Sequence, residues 1–169
     1  MPERTFDVLF LCTGNSARSI LAEALVNQLG GARFRGFSAG SHPVGRVNPY
    51  AERQLRAMGV DPSPYRSKSW DEFARPDAPP LDFVITVCDD AAGEICPVWP
   101  GRPVTAHWGL PDPAAVQGDD ATKQRAFGEN ARQLRTRIGY LVQLPVDTLD
   151  RLALEQRVRA LARPSETPG

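Results

Sequence analysis

The chain has 169 residues, a length that suits one compact domain with a real hydrophobic core. Its 20 Lys+Arg and 20 Asp+Glu residues cancel, which argues against a nucleic-acid or membrane partner held by bulk charge. Val8 to Leu11 is too short to span a bilayer, and no charged leader precedes it, so a cytoplasmic location is expected. Three cysteines, an odd number in a reducing compartment, are expected to be catalytic or redox-active thiols.

Phe6 to Leu11 reads as a strand buried on both faces, because its apolar residues barely alternate. Cys12 to Ser16 is a loop, and a helix is predicted from about Ala17. Leu21, Leu25 and Leu29 share one face of that helix, and Gly30-Gly31 ends it. Arg33 to Ser38 reads as a second strand, with a turn at Ala39-Gly40. Asn48-Pro49 is a cap and first-turn proline for a helix carrying Ala51, Leu55 and Met58, closed by Gly59. Arg75 to Pro80 reads as a surface loop.

Leu81 to Val87 reads as a third strand that delivers Cys88 at its C-terminal end, and Val104 to His107 as a fourth. Asp119-Asp120 can cap a long helix whose face is Phe127, Ala131, Leu134, Ile138 and Leu141. A last amphipathic segment is expected over Thr148 to Ala162, with Leu149, Leu152 and Leu154 packing on the domain or on a second subunit, the domain being the simpler choice. The expected division is a catalytic domain over 1–145 and a C-terminal helical extension and tail over 146–169. Strands alternating with helices imply an α/β domain with a four-stranded parallel sheet. Ligands of such sheets sit at the strand C-termini, where Cys12 and Cys88 both fall.

Cys12-Thr13-Gly14-Asn15-Ser16-Ala17-Arg18-Ser19 joins a buried strand to a helix N-terminus. Such a loop points backbone N–H groups and the positive end of a helix dipole at one spot, which suits a tetrahedral oxyanion. Gly14 is expected to allow the tight backbone, and Arg18 to bind two oxyanion oxygens as a planar fork. The same field should lower the Cys12 pKa, helped by a hydrogen bond from Ser19, making Cys12 a thiolate nucleophile. The loop and the following Ile20-Leu21-Ala22-Glu23 resemble the low-molecular-weight protein tyrosine phosphatase superfamily, which includes both phosphatases and arsenate reductases.

The second constellation is His107-Trp108-Gly109-Leu110-Pro111-Asp112-Pro113. An oxygen leaves phosphorus or arsenic more easily when protonated, and an acid on a loop over the site can supply the proton. Asp112 is the candidate, and Asp112-Pro113 matches the superfamily's Asp-Pro pair. Asp89, Asp90 and Asp119 are weaker competitors, and Asp119 reads as a helix cap. His107 reads as a loop or core residue.

Cys88 and Cys96 are neither a CxxC pair nor a zinc pattern. Ile85-Thr86-Val87-Cys88, Cys96-Pro97, His107-Trp108-Gly109 and Asp112-Pro113 are similar to the thioredoxin-coupled arsenate reductases over about Asp7 to Gly118. The resemblance implies reduction of arsenate to arsenite, with Cys12 as nucleophile, Cys88 as second nucleophile and Cys96 as resolving thiol. It implies a cradle made by Thr13, Gly14, Asn15, Ser16, Ala17, Arg18 and Ser19, in which phosphate or sulfate could stand for arsenate. No bound cofactor is expected. Electrons would come from thioredoxin, or from a glutaredoxin and small-thiol system.

Some members carry a potassium site built from Asn, Glu, Ser and Asp. Asn15, Glu23 and Ser38 match three of these, while Lys68 stands at the fourth position. The resemblance therefore implies loop support by Glu23, Ser38 and Lys68, with no metal. Two departures count against phosphotyrosine as substrate: Ala17 in place of a second loop cysteine, and Ala114 in place of an aromatic after Asp112-Pro113. The alternatives are a phosphohydrolase of the superfamily using Cys12, Arg18 and Asp112, and a non-enzymatic oxyanion or redox sensor.

Overall fold

A computed structural model describes residues 5–88, 99 and 102–162. Four strands form one parallel sheet: β1 (Phe6–Leu11), β2 (Phe34–Ala39), β3 (Phe83–Thr86) and β4 (Val104–His107), in the order β2-β1-β3-β4. The described helices are α1 (Arg18–Leu29), α2 (Pro49–Ala57), α3 (Asp71–Ala74), α4 (Asp120–Leu141) and α5 (Arg151–Ala160), with a 3-10 turn at Pro113–Ala115. This is the expected four-stranded parallel α/β architecture. No described helix is long and apolar enough to cross a membrane.

Alternate residues of β1 feed two cores, as the strand pleat requires. Phe6, Val8 and Phe10 join Ile20, Leu25, Phe83, Ile85, Phe127 and Leu134 on the side covered by α1 and α4. Leu9 and Leu11 join Ala39, Leu81, Val84 and Trp99 on the other, with Trp70 and Phe73 packed alongside. Both faces of β1 are dry, which explains its unbroken apolar run.

The predicted caps form. Asn48 Oδ1 accepts from Tyr50 N at 2.8 Å, and Asp119 Oδ1 from Thr122 N at 2.8 Å. All five apolar residues assigned to the α4 face are buried. In the C-terminal segment Leu154 is buried, but Leu152 is 67% exposed, so the expected Leu152 packing is corrected: α5 turns that residue to solvent. Neither α3 nor the 3-10 turn had a periodic apolar signal, being too short to show one.

The topology sets the site. β1 is central and pairs with β2 and β3, so the C-terminal ends of the three strands meet. Cys12 leaves the end of β1 and Cys88 lies two residues beyond β3, while Leu110 N donates to Val87 O at 3.0 Å. The loop after β4 thereby folds over the same end of the sheet.

Candidate active site

Cys12, Thr13, Gly14, Ser16, Ala17 and Arg18 line a cavity of about 190 Å³, closed on its far side by Asp112 and Ala114. The loop's carbonyls are engaged from outside. Thr13 O accepts from His42 N at 2.9 Å, Gly14 O from Val44 N at 3.0 Å, and Ser16 O from Asn48 N at 2.9 Å. Ser67 Oγ adds a bond to Gly14 O at 3.1 Å. These contacts fix the loop backbone from the side away from Arg18 and Asp112 and leave its carbonyls engaged. α1 begins at Arg18, and its N-cap residue Ala17 makes no side-chain capping bond, an arrangement that suits an anion at the helix N-terminus.

The tight bend falls on Asn15 rather than on Gly14. Asn15 has φ 45°, a left-handed conformation that asparagine tolerates better than most residues. Its side chain is fully buried and holds the bend from behind: Nδ2 donates to Ser19 Oγ at 2.8 Å, and Oδ1 accepts from Lys68 N at 2.9 Å. Ser19 therefore braces Asn15 by accepting this bond, and no contact between Ser19 Oγ and the Cys12 sulfur stands among the described hydrogen bonds. Neither Asn15 nor Ser19 lines the cavity. Gly40, at the end of β2, passes so close that a Cβ there would collide with Thr13 O and lie 2.6 Å from Cys12 O.

Glu23, Ser38 and Lys68 meet behind the loop. Ser38 Oγ donates to Glu23 Oε1 at 2.5 Å. Lys68 Nζ donates to Arg66 O at 2.8 Å and lies 3.5 Å from Ser38 Oγ and 3.9 Å from Glu23 Oε1. Burial pushes the Glu23 carboxyl up and the Lys68 ammonium down, each partly offset by the other's charge.

Cys88 stands against the cradle. Its Sγ accepts from Thr13 N at 3.2 Å and lies 3.7 Å from Thr13 Oγ1. Cys12 and Cys88 are both buried. The adjacent Cys88 sulfur, then burial, push the Cys12 thiol above its ordinary range, against the pull of Arg18 and the Gly14 N–H. This direction is opposite to the expected lowering, because a second thiol hydrogen-bonds beside the first and both are buried, against the positive field of Arg18. Cys96, Asp89 and Asp90 lie outside the described residues.

Arg18 joins the cradle to the acid loop. Its side chain is 14% exposed, Nη1 donates to Leu110 O at 2.8 Å, and Nη2 lies 3.8 Å from Asp112 Oδ2. Asp112 is 46% exposed, and its Oδ1 accepts from Ala114 N at 2.9 Å, capping the 3-10 turn. Three further contacts hold this loop. Arg137 Nη1 donates to Trp108 O at 3.0 Å, Asn130 Nδ2 to Pro111 O at 3.0 Å, and Trp108 Nε1 to Val158 O at 2.9 Å. Sequence reasoning missed Ser67, Asn130, Arg137 and Val158, whose partners lie 19 to 53 residues away. His107 ends β4, with Nδ1 2.7 Å from Thr86 Oγ1.

The family model for low molecular weight phosphotyrosine protein phosphatases matches residues 7–151. The chain is 36% identical over 141 residues to an arsenate reductase of Halalkalibacterium halodurans, covering 83% of this chain and 95% of that protein. Among solved structures it is similar to an arsenate reductase in the phosphate binding state. There the TM-score is 0.66 and the identity 27%, covering 82% of this chain and 97% of that one. It is also similar to the thioredoxin-dependent arsenate reductase of Corynebacterium glutamicum. That match has a TM-score of 0.59 and 26% identity, covering 85% of this chain and 64% of that one.

Proposed function

The chain belongs to the low molecular weight phosphotyrosine protein phosphatase family, and on that premise we propose that it reduces arsenate to arsenite. The observation carrying this reading is the second buried thiol: Cys88 Sγ takes the Thr13 N–H at 3.2 Å, beside Cys12. Hydrolysis needs one nucleophilic sulfur at the cradle, whereas a two-electron reduction needs two.

Hydrogen arsenate seats on the loop N–H groups and the Arg18 fork. Cys12 Sγ attacks arsenic, a sulfur–arsenic bond forms, and one oxygen leaves as water. Asp112 gives that oxygen a proton and recovers one from the Cys12 thiol, so a thiol that is protonated at rest still reacts. Cys88 then attacks Cys12 Sγ. The sulfur–arsenic bond breaks with its electron pair on arsenic, arsenic(V) becomes arsenic(III), and protonated arsenite leaves. The sulfurs are left oxidised as a Cys12–Cys88 disulfide. Attack by Cys96 on Cys88 frees Cys12, and an external dithiol of the thioredoxin type reduces Cys88–Cys96.

Lys68 supplies the positive charge beside Glu23 and Ser38 that a bound cation supplies in some relatives, so added potassium leaves the rate unchanged. A several-fold rise with potassium contradicts that role.

The test is turnover of arsenate with thioredoxin, thioredoxin reductase and NADPH. Wild type consumes NADPH, Cys88→Ser does not, and mass spectrometry after one turnover finds Cys88 bonded to Cys96. Fast hydrolysis of aryl phosphates unaffected by Cys88→Ser, without arsenate-dependent NADPH use, assigns the protein to phosphate hydrolysis instead. Silence in both assays leaves a sensor.

A further inference from the structure

The helix α5 begins at Arg151, the last residue of the family match, and it reaches back to the acid loop. β4 is the edge strand of the described sheet, so among the described residues one row of its backbone groups lacks a strand partner. Arginines of α5 take up carbonyls along that edge. Arg151 Nη2 donates to Pro103 O at 3.0 Å, and Arg159 Nε to Thr105 O at 3.0 Å. Arg159 is itself held by Glu155, one turn earlier, at 2.5 Å. Leu154 and Val158 seal the contact from below.

The same helix ends its grip on Trp108. That indole is fully buried, packs against Phe10 with ring centroids 6.1 Å apart, and donates Nε1–H to Val158 O at 2.9 Å. A buried indole N–H without an acceptor is costly, so the Val158 carbonyl fixes where the ring can sit. Trp108 is the first residue of the loop, and Asp112 follows four positions later. The bonds from Arg137, Arg18 and Asn130 to Trp108 O, Leu110 O and Pro111 O then carry that placement along the backbone.

We infer that α5 is a positioning element for the acid: its Val158 carbonyl holds the Trp108 indole and so sets where Asp112 stands over Cys12. The inference rests on the reading of Asp112 as proton donor. Val158, Trp108 and Arg159 are positioning residues, because none of them lines the cavity.

The test is a double-mutant cycle on the full chain. Its readout is the limiting single-turnover rate of arsenite formation from arsenate, for wild type, Trp108→Phe, Asp112→Asn and the double variant. Trp108→Phe keeps an aromatic ring and loses only the indole donor and part of the bulk. The expected loss is about tenfold in the Asp112 background and under about twofold in the Asp112→Asn background, because a helix that acts through Asp112 has nothing left to position. Hydrogen exchange over 109–116 should also quicken in Trp108→Phe. Competition by inorganic phosphate should hold, since the cradle is untouched. Arg159→Gln, at the exposed end of the clamp, should give a smaller loss with the same dependence on Asp112, and it decides the matter if Trp108→Phe does not fold. Equal losses in both backgrounds, or no loss in either, overturn the inference. A fully active Asp112→Asn overturns the acid reading instead, and exchange over 109–116 then reports separately whether α5 holds the loop.

Discussion

The cradle and the acid loop face each other across one cavity, yet they are held in opposite ways. The cradle, Cys12 to Ser19, is braced mainly through its own backbone: the carbonyls of Thr13, Gly14 and Ser16 are bound by N–H groups from 42–48, with Ser67 Oγ and the buried Asn15 side chain adding to them. The acid loop, Trp108 to Asp112, is braced mainly by side chains of two helices, Arg18 from α1 and Asn130 and Arg137 from α4, and by a Val158 carbonyl from α5, with one backbone bond from Leu110 N to Val87 O. A backbone-braced loop tolerates little movement and keeps its donors aimed at one point. A loop held by side chains and carrying an acid that is 46% exposed can shift as the anion arrives. On the proposed mechanism, binding is built into the rigid half, and proton delivery into the adjustable half.

Arg18 belongs to both halves, so its replacement gives the largest loss. Arg18→Lys keeps the charge but loses the planar fork, and with it both the two-oxygen grip and the bond to Leu110 O. The expected fall in single-turnover arsenite formation is about 10³-fold, with weaker phosphate binding. A loss confined to binding would confine Arg18 to the cradle and break the comparison. Asp112→Asn touches only the adjustable half. It should cost about 10²-fold in rate while leaving phosphate binding near wild type, because the lost group acts on the leaving oxygen.

The same contrast decides what could be read from the chain. β1, the cradle and α1 are contiguous, so an apolar run, a Cys-to-Arg spacing and an i, i+4 apolar face were enough to place them. Asn48 and Asp119 were legible for the same reason, since a cap bonds two or three residues ahead. Lys68 was singled out through a resemblance, and the structure sets it against Glu23 and Ser38. Asn130, Arg137 and Val158 carry no local signal: each is an ordinary helix residue until the fold brings a loop carbonyl or an indole to it. The Cys12 pKa was misread on the same ground. Its helix-terminus setting is local, but the sulfur that outweighs it lies 76 positions away in the chain.

A third variant probes how much of the cradle's rigidity comes from the buried charges behind it. Lys68→Met leaves Glu23 enclosed without its cation, at a cost of about 3 kcal/mol. That corresponds to a melting temperature roughly 9 °C lower for a domain of this size. The sign with pH follows from Glu23. Its carboxyl is already held above 4.5 by burial, and removing Lys68 raises it further. The folded state then keeps a proton that the unfolded state releases above that value. Stability is fully present below the ordinary carboxylate range and is lost as pH rises through the folded pKa, so the variant should be further from wild type at pH 8 than at pH 5. An unchanged melting temperature would mean that the backbone bonds alone hold the loop.

The smallest effect is a displaced pH profile, and it tests whether the rigid half tunes its own nucleophile. At rest the Cys88 sulfur is the largest influence raising Cys12, followed by burial, while Arg18 and the Gly14 N–H pull the other way. Alkylation of Cys12 by iodoacetamide should accordingly keep climbing above the ordinary thiol midpoint of about 8.5. Cys88→Ala removes the first influence and leaves the two lowering ones in place, so the profile should move to lower pH and the neutral-pH rate should rise. Burial still acts in the variant, which limits the move. Peptide mapping of the alkylated sulfur keeps Cys12 separate from Cys96. If the profile stays where it was, burial rather than the second thiol keeps Cys12 protonated. If it moves as expected, the thiol proposed to complete the reduction is also the one that restrains the proposed first nucleophile until an anion reaches Arg18.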